Sequence, residues 1–265
     1  MGHVARKRFG QNFLVDESVI DRIVASIAPR RDDRMVEIGP GLGALTRPLL
    51  ARLERLDVVE LDRDLAGSLP RRLGEPPGLV VHQADALTFD FESLDAGAGV
   101  RVIGNLPYNI STPLLFHLLD QSDAIVDMHF MLQKEVVDRL TASPGSKAWG
   151  RLGVMTAARA TATLLFLVPP EAFQPAPKVE SAIVRIVPKR LDPDQRALLP
   201  ALEAVTRAAF AQRRKTLRNN FKGLVEAGQL DALGIDPGAR AETLSLAEFK
   251  RLAEVIDAMS NTRID

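Results

Sequence analysis

Apolar residues along this chain follow two alternating rhythms up to about residue 190 and a single rhythm after it. Behind Asp16, a residue suited to cap a helix, Val19, Ile20, Ile23, Val24 and Ile27 recur at helical spacing. Met35-Val36-Glu37-Ile38-Gly39 then reads as a buried strand, and Leu45, Leu49, Leu50 and Leu53 as one face of the helix behind it. The runs Val58-Val59, Leu79-Val80-Val81 and Val100 to Ile103 continue the alternation, and Ser111-Thr112-Pro113 offers capping residues and a first-turn proline for the next helix. Residues 124–133, 161–169 and 181–187 complete a reading with seven strands. Short apolar strands alternating with helices predict an α/β fold around one mostly parallel sheet. After Pro188-Lys189-Arg190 only helical spacing remains, with a helix expected at 193–212. The last helix is delimited by a capping box of Ser245 and Glu248 and a staple of Leu244 and Phe249, with Phe249, Leu252, Val255, Ile256 and Met259 on its inner face. The expected division is therefore a sheet domain at 1–190 and a small all-helical domain at 191–265.

The strand ends carry the chemistry. Gly39-Pro40-Gly41-Leu42-Gly43 is a glycine turn at a helix mouth, where the backbone can approach a ligand closely. It lacks the Lys-Ser/Thr of a phosphate-binding loop, which disfavours nucleotide hydrolysis. Glu60, 21 positions after Gly39, could accept hydrogen bonds from both hydroxyls of a ribose, and Asp85 is suited to an adenine amino group. The fourth strand ends in Asn105-Leu106-Pro107-Tyr108. That turn supplies a side-chain amide oxygen, the Leu106 or Pro107 carbonyl, and an aromatic face from the chain's single tyrosine. Two acceptors can hold the hydrogens of a nucleobase amine and favour a tetrahedral nitrogen, while the ring stacks on the base. An ordinary Asn-Pro turn is the plainer reading of the same four residues.

Composition narrows the classes. A chain of 265 residues with 46% hydrophobic content can bury a sizeable core. Its longest nearly apolar stretch, Leu164 to Pro170, falls far short of the roughly 20 residues that cross a bilayer, and Arg6-Lys7-Arg8 is followed by no apolar signal region, so a soluble, unexported, cytoplasmic protein is expected. With no cysteine, and with His3, His82, His117 and His129 at no ligand spacing, no metal is implied. The formal net charge is zero, so nucleic-acid binding must come from local patches. Arg213, Arg214, Lys215, Arg218 and Lys222 form one such patch and Arg6-Lys7-Arg8 another; together they read as a basic rim for phosphates, against the alternative of a solvated face.

The order of glycine turn, ribose acid, adenine acid and Asn-x-Pro-Tyr turn resembles the S-adenosylmethionine-dependent amino-methyltransferases. The strings KRFGQNFL, VEIGPGLGALT, NLPYNISTPLLF, MLQKEVVDRLTASPGSKAWGRL, VPPEAFQPAPKVESAIVR and FAQRRKTLRNNF, spread over nearly the whole chain, resemble the KsgA/RsmA family of rRNA adenine N6,N6-dimethyltransferases. The resemblance implies a Rossmann-like class I methyltransferase sheet whose last strands include an antiparallel pair. It also implies S-adenosylmethionine as cofactor, and as substrate two adjacent adenosines near the 3′ end of 16S rRNA in the small ribosomal subunit or its precursor. A monomer acting in subunit biogenesis is expected. The family's cofactor contacts fall on Asn12, Leu14, Gly39, Glu60, Asp85 and Asn105. This makes the segment at 6–14, otherwise readable as a frayed terminus, part of the site. Asn105 would also orient the amine, Tyr108 would stack on the flipped adenine, and Phe173 would close its other face; a buried loop anchor is the structural alternative for Phe173.

Two departures from the family pattern stand out: Ala84 in place of a glycine, and Trp149 in place of a tyrosine. Three other functions would use parts of the same pattern. They are a large-subunit rRNA methyltransferase of the macrolide-resistance type, a non-catalytic assembly factor, and a nicotinamide dehydrogenase, the last disfavoured by the GxGxG spacing.

Overall fold

The structure, a computed structural model, describes residues 12–95, 97–107 and 109–261. In chain order it forms β1 (Phe13–Leu14), α1 (Glu17–Ile27), β2 (Met35–Ile38), α2 (Thr46–Leu50), β3 (Leu56–Glu60), α3 (Arg63–Leu73), β4 (Leu79–Gln83), β5 (Val100–Asn105), α4 (Ser111–Asp120), β6 (Ile125–Gln133) and α5 (Lys134–Leu140). There follow α6 (Arg151–Arg159), β7 (Ala160–Val168), β8 (Phe173–Gln174), β9 (Ser181–Pro188), α7 (Pro193–Ala197), α8 (Leu199–Ala209), α9 (Leu217–Asn220), α10 (Ala227–Ala232) and α11 (Leu246–Asn261). The chain divides into two compact units: the described residues up to Val137 with Thr163–Pro188, and Asp138–Ala162 with the residues from Lys189 onward. The helical unit thus includes residues 138–162, which the sequence reading places with the sheet.

The first unit is built on a seven-stranded sheet in the order β4-β3-β2-β5-β6-β9-β7. Strands β2 to β6 pair in parallel, and β9 runs antiparallel to β6. Every residue of β2 and β3 is buried, as strands covered on both faces require. On one face Ile23, Val24 and Ile27 of α1 and Leu49 of α2 pack with Val58, Ile103 and Ile183 of the sheet. Asp16 caps α1 as expected, its Oδ1 accepting from the Ser18 N–H at 2.9 Å and the Val19 N–H at 3.1 Å. Ser111 does not cap α4: the helix begins on it, Ile110 holds the capping position without a side-chain bond, and Pro113 lies in the first turn, where a missing N–H costs nothing.

In the second unit the helix expected at 193–212 is two helices, α7 and α8, meeting at Leu198. Pro200 has no N–H to give the preceding turn, and the ladder breaks there. Trp149 is 2% exposed and its indole N–H donates to the Leu244 carbonyl at 2.9 Å, so the residue that departs from the family tyrosine is a buried tie within this unit. Ser245 and Glu248 form the expected capping box at the start of α11, and Phe210 stacks on Phe249 with ring centroids 5.7 Å apart.

Candidate active site

In an open α/β sheet the carboxyl ends of the parallel strands leave a crevice where ligands bind. Here a cavity of about 200 Å³ opens at the ends of β2, β3, β4 and β5 and is walled on a further side by the arm, Asn12 to Leu14. Asn12, Leu14, Gly39, Glu60, Asp85 and Asn105 all line it. The glycine turn makes this approach possible. Gly39 and Gly41 have φ of 65° and 58°, in the left-handed region, and a Cβ on Gly41 would sit 3.3 Å from the Phe13 ring of the arm.

Glu60 ends β3 and is 7% exposed. Its Oε1 accepts from the Asp62 N–H at 2.9 Å and its Oε2 from the Gly41 N–H at 3.3 Å, so the carboxyl is aimed by the glycine turn. Burial pushes its pKa up, opposed by those two N–H groups. Asp85 stands exposed behind β4, with Oδ1 held by the Leu87 N–H at 2.9 Å.

Asn105 closes β5. Its Nδ2 donates to the Asn12 carbonyl at 3.2 Å. The donor half of the amide is thereby committed to the arm, and the oxygen is left as an acceptor. The sequence left two carbonyls as the second acceptor, and the structure separates them. The Pro107 carbonyl takes the Ile110 N–H at 3.2 Å, whereas the Leu106 carbonyl accepts no hydrogen bond among the described residues. Leu106 is itself 2% exposed, its N–H donating to the Met131 carbonyl at 3.2 Å, which fixes the turn to β6. Tyr108 lies outside the described residues, as do Arg6, Lys7 and Arg8.

Phe173 is brought to the arm and not to the cavity wall. It is 5% exposed, packs in the apolar core, and sits opposite Leu14 in the antiparallel pair β1–β8. The Val15 N–H extends that pairing to the Ala172 carbonyl at 2.9 Å. Of the expected basic rim, Arg213, Arg214, Lys215, Arg218 and Lys222 are all exposed. Arg213 is engaged locally, with Nε 3.3 Å from Glu242 and a terminal nitrogen donating to the Lys147 carbonyl, while the other four side chains form no ion pair among the described residues.

Several wall residues escaped the sequence reading. Leu61, directly after Glu60, is 55% exposed at the cavity, an apolar surface suited to the face of a purine. Glu37 lines the cavity from inside β2 and is 2% exposed; its signal was an acid within an otherwise apolar strand. Four acids, Glu37, Glu60, Asp62 and Asp85, line the cavity and no Lys, Arg or His does so among the described residues. Such a wall suits a cationic ligand bearing hydroxyls and an amine, and so fits S-adenosylmethionine. No group of His, Asp or Glu arranged to hold a metal occurs among the described residues.

Comparison with known proteins agrees with this geometry. The family model described as "Ribosomal RNA adenine dimethylase" matches residues 2–258. Ribosomal RNA small subunit methyltransferase A of a Marinomonas species is 56% identical over 255 residues, covering 96% of each chain. Among solved structures, a dimethyladenosine transferase from Plasmodium falciparum superposes with a TM-score of 0.79 at 23% identity, covering 93% of this chain and 98% of that one. The 23S rRNA methyltransferase ErmE superposes with a TM-score of 0.70 at 28% identity, covering 93% of this chain and 100% of that one. A Rossmann-like sheet, a cavity at its carboxyl edge and a family match over nearly the whole chain converge: this chain belongs to the ribosomal RNA adenine dimethylase family.

Proposed function

We propose that the protein dimethylates N6 of two adjacent adenosines near the 3′ end of 16S rRNA, in the small ribosomal subunit or its precursor, acting as a cytoplasmic monomer in subunit biogenesis. The observation that carries this reading is Asn105, whose amide is turned by Asn12 so that an acceptor remains at the end of β5, beside the Leu106 carbonyl, which accepts no hydrogen bond among the described residues. S-adenosylmethionine, when bound, supplies a methyl group on a sulfonium, a leaving group good enough that the protein needs no nucleophile of its own.

The chain's own residues bind, orient and stabilise. Glu60 accepts the ribose hydroxyls, Asp85 the adenine amino group of the cofactor, and Asn12, Leu14 and Gly39 shape the wall between them. The target base leaves its stack at a cost of a few kcal/mol, offset by stacking on Tyr108. Phe173 serves the base site through the loop at 170–174, which its buried ring anchors. Asn105 and the Leu106 carbonyl hold the hydrogens of N6 and face the positive charge that develops on that nitrogen. Arg6, Lys7, Arg8, Arg214, Lys215, Arg218 and Lys222 contact phosphates, with Arg213 shared between that task and Glu242.

Small-subunit rRNA is favoured over large-subunit rRNA by 56% identity to the small-subunit enzyme of Marinomonas against 28% to ErmE. Transfer of labelled methyl to small subunits lacking the modification, with large-subunit RNA as competitor, tests this directly. N6,N6-dimethyladenosine at two adjacent small-subunit positions is the expected product. Label on the large-subunit RNA, or subunit binding without transfer, would overturn it.

A further inference from the structure

The methyl donor and its spent product differ by one methyl and one positive charge: the sulfonium becomes a neutral thioether and the rest of the molecule is unchanged. A site that undergoes repeated rounds of transfer gains from telling the two apart, and charge is the larger difference. Of the four acids on the cavity wall, Glu60 already takes two backbone N–H groups, Asp62 takes the Asp64 N–H at 2.9 Å at the start of α3, and Asp85 is exposed. Glu37 differs from them in lying inside a strand and in taking its hydrogen bond from a side chain, where Glu60, Asp62 and Asp85 take theirs from backbone N–H groups. It is 2% exposed, lies in the wall beneath the glycine turn, and receives one side-chain hydrogen bond, from Thr46 Oγ1 at 2.7 Å.

We propose that Glu37 is a specificity-determining residue that separates the cationic methyl donor from its uncharged-sulfur product. The proposal rests on S-adenosylmethionine being the ligand of this cavity. Burial pushes the Glu37 carboxyl up to about 7, with the Thr46 hydroxyl opposing and the Glu60 charge reinforcing that shift. Near neutral pH the carboxyl is therefore shared between its acid and carboxylate forms. A ligand carrying an additional positive charge draws out the carboxylate and sends the proton to solvent; the thioether has no such pull.

The surroundings leave this assignment to Glu37. From β3 it faces the charge of Glu60, and from α2 the neutral Thr46, while Arg47 of the same helix turns its guanidinium to the Arg72 carbonyl. On β5 its neighbour in register is Ile103, and His129 lies one strand further, beside Asp127, Arg101 and Arg185. That imidazole is held neutral, its pKa lowered to about 4 by burial first of all.

The test is calorimetric titration of the full chain with S-adenosylmethionine and with S-adenosylhomocysteine between pH 6 and 8, in two buffers of different ionisation enthalpy. In the wild type the donor releases a proton that the product does not, and the ratio of their affinities rises with pH, by on the order of tenfold across the range. Glu37→Gln, which can still accept from Thr46, flattens the ratio and lowers affinity for the donor alone. Glu60→Gln weakens both ligands, since both carry the ribose, and moves the pH dependence of their ratio to lower pH without abolishing it, because the Glu60 charge is one of the causes that raise the Glu37 carboxyl. A wild-type ratio independent of pH, or a pH-dependent ratio that survives in Glu37→Gln, overturns the assignment to Glu37 while leaving the cofactor reading intact. Failure of the wild type to bind either ligand overturns both.

Discussion

Replacing Asn105 with alanine separates what the amide does for the chemistry from what it does for the arm. Two interactions are lost. The first is the bond from Nδ2 to the Asn12 carbonyl at 3.2 Å, a neutral contact worth about 1 kcal/mol, which raises KM for the methyl donor by roughly fivefold. The second exists only as charge builds on N6. An acceptor of this kind, placed against developing charge in a site sheltered from water, contributes about 3–4 kcal/mol, so kcat is expected to fall by about 10²–10³. The effect on kcat therefore dominates. The assay is single-turnover methyl transfer to unmodified small subunits at saturating donor, alongside filter binding of the same subunits, whose affinity should stay within about twofold because Asn105 contacts no phosphate in this scheme. A variant whose kcat stays within tenfold of the wild type, or which loses activity only through KM, would refute the reasoning and reduce Asn105 to a tie for the arm.

Three further outcomes follow from the packing. Gly41→Ala places a Cβ 3.3 Å from the Phe13 ring at φ 58°, which should cost roughly 1–2 kcal/mol of strain and raise donor KM before it affects kcat. His129 has a folded-state pKa of about 4, lowered by burial first of all, so between about pH 6.5 and 4 the unfolded chain binds a proton that the folded chain does not. Stability should therefore fall as pH drops through that window, by about 3 kcal/mol, and denaturant titrations of His129→Leu should show this component of the pH dependence missing. Trp149→Phe leaves the buried Leu244 carbonyl without its donor and should lower the stability of the helical unit by roughly 1–3 kcal/mol, measured by circular dichroism in urea; an unchanged midpoint would count against Trp149 as a tie.

Much of the sheet was readable because its strands are short, apolar and bounded by polar residues. The strands expected at 124–133, 161–169 and 181–187 match β6, β7 and β9 to within a residue at either end. Polar residues at strand ends carry position as well as chemistry, and so Gly39, Glu60, Asp85 and Asn105 could be assigned to one cavity from their spacing and the family resemblance before any coordinates. What failed to show were effects of backbone geometry and of contacts distant in sequence. The split at Leu198 depends on one proline overruling an otherwise helical pattern. The burial of Phe173 depends on pairing with Leu14, far away along the chain, whereas an aromatic residue between prolines, at the family's base-closing position, reads first as a stacking platform and only then as an anchor. The choice between the Leu106 and Pro107 carbonyls required knowing which one Ile110 occupies. Glu37 was passed over because an acid inside an apolar strand looks like an interruption until its neighbours are known.

The ribbon made by β1 and β8 is only two residues long on each side, and its brevity makes it behave like a ratchet tooth. Side chains alternate across a strand, so sliding the arm by one residue would turn Leu14 out of the core and drive Phe13 into it, away from Gly41. Intermediate seatings are thereby removed: Asn12, Leu14 and Phe13 take their places on the cavity wall together or not at all. The same pairing fixes the loop at 170–174 to the arm, so this side of the cavity and that loop are positioned by one register.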